Sequence, residues 1–219
     1  MKIKSYSGPI DLASRLAELG LEEEILLQAV QRGQAAWANC TANHPPLYRG
    51  ISAWAETVSA LRELLLPKGW KRSEQGNLPL TVDEAGKLAI TVSTGDEQTG
   101  LSEGSPCTKS SKGPRTAIAV EVNALQLQLF GDIRLRPEDL ESINGQMTWI
   151  LLFHRDLAAS ELRCELSRPV NMNVDGQVDG WAERIILGPT SFDTDKILVP
   201  PSEVPQTPNI VVEVRRKRA

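Results

Sequence analysis

The hydrophobic period of this chain changes once, near Leu78, and that change constrains its fold more than any other feature. Before it, Leu12, Leu16 and Leu19 recur at helical spacing, and Leu21, Ile25, Leu26 and Val30 continue the pattern after Gly20, which breaks or bends the helix. Paired prolines in Thr41 to Gly50 place a loop after a second helix ending near Ala38. Ser52 can cap a third helix, in which Trp54, Val58, Leu61 and Leu65 share a face until Pro67 and Gly69 stop it. Residues 10–66 are therefore expected to be helical.

From Leu78 onward the runs are short and β-branched, with strands expected at 78–83 and 87–93 around a tight turn. Trp149 to His154 and Glu161 to Leu166 fit a second hairpin, and Trp181 to Leu187 and Asn209 to Val214 add two strands. Residues 197–208 are proline-rich and fit a stiff extended connection. Ala117 to Asn123 fits either a strand or a short helix, because seven residues do not separate the two periods. Two stretches, 94–116 and 131–146, hold small polar residues with few apolar anchors and are expected to be mobile loops. Together these segments predict one α+β domain over 1–219, strand-rich over 78–214, with N-terminal helices followed by an antiparallel sheet built from hairpins.

Charge and cysteine usage narrow the function. Net charge is −4 although Arg215, Arg216, Lys217 and Arg218 add four positives at the C-terminus, so the rest is acidic and a globally basic nucleic-acid binder is disfavoured. Cys40, Cys107 and Cys164 form no CxxC pair, so they read as isolated, reduced thiols rather than a disulfide framework or zinc site. No apolar run is long enough for a membrane helix and the first ten residues lack the apolar centre of a secretion signal; a cytoplasmic protein with no membrane contact is expected.

One segment stands above this background, Gln126-Leu127-Gln128-Leu129-Phe130. It resembles the short peptide, Gln-Leu-x-Leu-Phe, with which bacterial DNA polymerases, mismatch-repair proteins and other DNA-processing factors dock onto the ring-shaped sliding clamp. All four fixed positions match; Gln128 stands where Ser, Asp or Asn is more usual, and the resemblance covers five residues of 219. It implies that Leu129 and Phe130 enter an apolar pocket of the DNA polymerase sliding clamp while Gln126 satisfies polar groups at its mouth and Leu127 completes the motif. The same residues also fit a half-buried strand, since Leu125, Leu127 and Leu129 alternate with Gln126 and Gln128.

Weaker constellations give the alternatives. Asp83, Asp96, Glu97 and Glu121 can be imagined around a divalent metal in a nuclease or phosphodiesterase, with Lys109, Lys112 and Arg115 on phosphate oxygens, although no Asp-x-Lys or Glu-x-Lys is present. His154, Asp156 and Ser160 are neighbours on one hairpin and fit a polar turn better than a triad; His44 lies in the proline loop. No Walker A loop follows Gly95, and no motif calls for a cofactor. Trp37, Trp54 and Trp149 fit core anchors. The basic tail, Arg215 to Arg218, can touch DNA phosphates or an acidic partner, or serve as a solubilising end. The leading expectation is a bacterial DNA-metabolism accessory protein, for replication, repair, mobile-element maintenance or phage defence, that docks on the sliding clamp; a metal-dependent nuclease and a non-catalytic interaction scaffold are the alternatives.

Overall fold

The computed structural model describes residues 3–128 and 146–192. In chain order its elements are β1 (Lys4–Tyr6), α1 (Pro9–Glu18), α2 (Glu23–Ala38), α3 (Tyr48–Leu65), β2 (Lys71–Ser73), β3 (Leu80–Val82), β4 (Leu88–Thr94), α4 (Pro114–Gln128), β5 (Met147–Asp156), β6 (Glu161–Met172), β7 (Val178–Ile186) and β8 (Thr190–Ser191). The chain is α+β, and its strands form one sheet in the order β1-β7-β6-β5-β4-β3-β2, with β8 pairing to β6.

The expected hairpins β3–β4 and β5–β6 are antiparallel, and β7 pairs antiparallel with β6, but the sheet is mixed rather than antiparallel throughout: β4 runs parallel to β5, and β1 runs parallel to β7. A parallel neighbour needs a long crossover, and residues 95–146, containing α4, supply it. That helix also breaks the expected order of helices first and strands later. Residues 117–123, ambiguous by period, lie inside α4, where Val120 packs on Ile150 and Trp181 and Asn123 is buried. The Asn123 amide donates to the carbonyls of Thr148 and Pro169 at 2.7 and 2.9 Å and accepts from the Thr148 N–H at 3.1 Å, tying α4 to β5 and β6.

Strand alternation divides the sheet into two faces. Trp149, Leu151 and Phe153 of β5, with Leu88, Ile90 and Val92 of β4 and Leu162, Cys164 and Leu166 of β6, meet Leu12, Leu16, Leu26, Val30, Leu61 and Leu65 from α1, α2 and α3. Ile150 and Leu152, facing the other way, meet α4. Burial on both faces explains why β5 reads as an unbroken apolar run. Gly33 lets α2 and α3 close together: a Cβ there would stand 2.5 Å from the Ala53 carbonyl and 2.0 Å from the Thr57 hydroxyl. Helix α3 begins at Tyr48, one turn before the expected Ser52 cap, because the Pro45 carbonyl already accepts the Tyr48 N–H at 2.9 Å and starts the turn.

The segment between β4 and α4 departs most from expectation. It is held by polar rather than apolar anchors. Arg184 of β7 and Glu165 of β6, both nearly inaccessible, form an ion pair at 2.5 Å on the α4 side of the sheet. Arg184 also donates to the carbonyls of Gly104 and Leu101, while Glu165 accepts from the Gly100 N–H and the Ser167 hydroxyl. Asp96 accepts from the Gln98 and Cys107 N–H groups, Trp181 donates to the Pro106 carbonyl at 2.7 Å, and Gly95 bridges Thr108. A search for apolar anchors misses this segment because its anchors are charges and carbonyls supplied from β6 and β7. The second stretch, 131–146, lies outside the described residues apart from Gln146.

Candidate functional site

Strand β3 pairs with β4 only at Ala89 and Ile90, so the last residues of β4 have no strand partner on that side. The Val92 carbonyl accepts the Trp54 indole N–H at 3.0 Å. Around this end of β4 lies a cleft of about 660 Å³, framed by the start of α3, the end of α2, residues 77–79, residues 109–112 and the end of β5. Ligand pockets span roughly 300–1,000 Å³. Because β4 and β5 are parallel, both turn their C-terminal ends toward it, the place where ligands gather in open sheets with parallel strands.

Four cations line the cleft, Arg49, Lys109, Lys112 and Arg155, and among the described residues lining it there is no Asp or Glu. In a chain of net charge −4 this is a concentrated reversal of sign. Arg155 projects from β5 onto the helical face, where its guanidinium lies 4.2 Å from the Trp37 ring centre and donates through Nε to the Gln34 amide oxygen. Its Nη2 is buried and has no hydrogen-bond partner among the described residues. Arg49 lies 5.2 Å from the same indole and donates to the Cys40 carbonyl at 3.0 Å. Both guanidiniums are thus held by neutral groups, and burial pulls the Arg155 pKa down to about 10. Burial likewise lowers the Lys112 pKa.

Lys109 and Lys112 reach the cleft because the segment carrying them is anchored at both ends. The Lys109 N–H donates to the Thr94 carbonyl at 2.9 Å and the Lys112 N–H to the Gly176 carbonyl at 2.8 Å. Ser110 accepts from the Lys112 ammonium at 3.2 Å. The rim is apolar and open, with Leu47 79% and Ile51 56% exposed.

Of the residues singled out in the sequence, Lys109 and Lys112 meet here, whereas Arg115 lines a different cleft. The carboxylates Asp83, Asp96, Glu97 and Glu121 do not converge: Asp83 accepts from the Leu88 N–H, Asp96 caps its own loop and Glu121 is exposed on α4. Among the described residues no three His, Cys, Asp or Glu side chains gather in a way that could hold a metal. His154 faces the Gly95 carbonyl at 3.5 Å, and burial lowers its pKa, while Asp156 caps the Ala158 and Ala159 N–H groups; the trio forms a polar turn. His44 stacks on Tyr48 at 4.8 Å. Cys164 is buried, its thiol pushed up to about 12 by desolvation.

Gln126 and Leu127 occupy the last turn of α4 and are half-buried; the Gln126 side-chain oxygen has no partner among the described residues. Leu129, Phe130 and the tail Arg215 to Arg218 lie outside the described residues. Arg155, Arg49, Trp37 and Trp54 were not identified as a site from the sequence. Arg155 interrupts no motif, and its setting between Gln34 and Trp37, with no acidic partner among the described residues, becomes visible only once α2 is folded against β5. No helix among the described residues is long and apolar enough to cross a membrane. No protein-family model, curated protein or solved structure matches the chain.

Proposed function

We propose that this protein is a binding module whose cleft beside the C-terminal end of β4 takes a phosphate-bearing anion. The observation that carries the reading is the set of four cations with no carboxylate lining the cleft among the described residues, and among them Arg155, which an indole and an amide hold. Desolvating an unpaired charge is costly, so a fold gains nothing from this arrangement unless an anion completes it. A phosphate oxygen about 4 Å from one guanidinium gains on the order of 4 kcal/mol at an effective dielectric constant of 20. Its planar donors also suit phosphate geometry.

Calorimetric titration with inorganic pyrophosphate and with a nucleoside monophosphate tests the reading. Saturable binding is expected, weakened about tenfold or more by Arg155→Gln, on the scale of a charge-assisted hydrogen bond. Lys112→Gln should weaken it less, and Lys68→Gln, at an exposed pair with Glu22, should leave it unchanged. Heat indistinguishable from dilution for the wild type would overturn the reading.

A second reading is favoured by the Gln126 to Phe130 peptide: a cytoplasmic DNA-metabolism accessory protein that docks on the sliding clamp. Since Gln126 and Leu127 are helical and half-buried, extended docking requires the last turn of α4 to open first. Titration of a bacterial sliding clamp with wild type and with Leu129→Ala, Phe130→Ala tests it; binding lost in the double variant supports docking, and no wild-type binding removes it. The two readings are compatible, because a phosphate-holding cleft and a clamp peptide both serve a protein working on DNA.

A further inference from the structure

A second cleft, of about 450 Å³, lies on the α4 side of β2 and β3. Its cations are Lys71, Arg72 and Arg115, and again no Asp or Glu lines it among the described residues. Lys71, Arg72 and Arg115 are all exposed. Its floor is apolar, formed by Leu80 and Val82 from the sheet and Val122 from α4.

The two clefts adjoin. Leu78 lines both. The Arg115 side chain lies over Gly76, where an added Cβ would stand 2.5 Å from its Cγ and Nε, and where φ is +62°. The next residue, Asn77, lines the first cleft. The short segment from Gly76 to Pro79 is thus a saddle between the two clefts, neither of which an Asp or Glu lines among the described residues; the nearby Glu74 is paired with Arg62.

We propose that the two clefts form one track for a single-stranded nucleic acid that crosses the saddle at Leu78, with phosphates on Arg155 and Lys112 at one end and on Arg115 and Arg72 at the other. This rests on the phosphate reading of the first cleft and extends it from an anion to a chain of anions. A single strand is the occupant whose chemistry fits. Its backbone repeats the charge that each cleft lacks, and its bases can cover the apolar floor and the exposed Leu47 and Ile51 of the rim. No open aromatic platform is needed, since the Trp37 ring already lies beneath guanidiniums; contact is with phosphate, and little sequence preference follows.

Fluorescence anisotropy with labelled oligo-dT and oligo-U of one to sixteen nucleotides tests the track. Affinity should rise steeply with length over the first several nucleotides and then level off once both clefts are spanned. Arg72→Gln with Arg115→Gln should weaken the long strands about tenfold or more and leave the mononucleotide unaffected, whereas Arg155→Gln should weaken both. The plot of log affinity against log salt should flatten by about 1.4 in the double variant, two contacts at roughly 0.7 each. A thermal melt checks that each variant folds; should Arg155→Gln not fold, Lys109→Gln with Lys112→Gln takes its place. Affinity independent of length, or a double variant that binds long strands as the wild type does, would overturn the track while leaving the single anion site standing. Mononucleotide and strand both failing to bind would remove both. Full displacement of the strand by a poly-glutamate peptide of equal charge would overturn it in favour of an acidic protein partner. Equal affinity for oligo-dT and oligo-U agrees with phosphate contact, and preference for one assigns the strand.

Discussion

The two faces of the sheet are built by different chemistry. On one, α1, α2 and α3 cover Trp149, Leu151, Leu166 and Ile185 with apolar side chains, each worth about 1.5–3 kcal/mol when fully buried. On the other, α4 covers only part of the surface, and residues 95–113 are held against the rest by the Arg184–Glu165 pair and a set of carbonyls. The apolar face tolerates imperfect geometry because its driving force has no direction. The polar face depends on every partner being present, since a half-satisfied buried network costs more than none. Both cationic clefts lie where these layers end, along the short β2–β3 edge, and the polar face delivers Lys109 and Lys112 to one of them.

The largest effect that would break this comparison comes from Arg184→Met, which leaves the Glu165 carboxylate buried without its partner. A loss of about 3–5 kcal/mol is expected in denaturant melts. Arg184→Met with Glu165→Met should regain much of that loss, because it removes both charges. It should not restore amide protection around Gly104, whose carbonyl loses its donor. A single variant that melts like the wild type would show that the ion pair does not hold this face. On the apolar face, Gly33→Ala is expected to cost about 1–3 kcal/mol, since the new Cβ meets Thr57 and the Ala53 carbonyl and the helices must part.

Hydrogen exchange sharpens the contrast within the polar segment. The amides of Gly100, Cys107, Thr108 and Lys109, donating to Glu165, Asp96, Val178 and Thr94, should be protected well above the exposed Ser102 and Glu103. Uniformly fast exchange over 95–113 would return this segment to a loose loop.

The smallest effect is a pH dependence at His154. Burial first, opposed by the bond to the Gly95 carbonyl, lowers its pKa in the fold. The unfolded chain therefore takes up this proton at about 6.5, before the folded one does. Stability is present above that pH and falls as the pH drops through it. His154→Gln should lose less stability than the wild type between pH 7 and 5, measured by melts at each pH; equal losses would remove His154 as the source.

How much of this was legible in the sequence follows the same division. Leu12, Leu16, Leu26 and Leu61 announce the helical layer by period alone, and a β-branched run and a continuous apolar run announce β4 and β5, because apolar burial leaves a trace in the sequence. The parallel pairing of β4 with β5 leaves none, since it depends on what the intervening residues do. Glu165 and Arg184 read as ordinary charges on strands, nineteen residues apart in sequence, until the β6–β7 register sets Glu165 opposite Ile186 and Ser167 opposite Arg184. Lys109 and Lys112 were visible as candidate phosphate contacts from composition. Their partners Arg49 and Arg155 come from α3 and β5, and only folding places them together.

The measurement that tests the anion site most directly is a two-dimensional NMR titration of the five tryptophan indole N–H signals with inorganic pyrophosphate. Trp37 and Trp54 line the cleft, whereas Trp149 is buried under the helices and Trp181 lies under residues 95–113. With each signal assigned by a Trp→Phe variant, those of Trp37 and Trp54 should move saturably and together, while those of Trp149 and Trp181 stay in place. Static Trp37 and Trp54 signals at millimolar pyrophosphate would contradict the site, as would equal movement of all five.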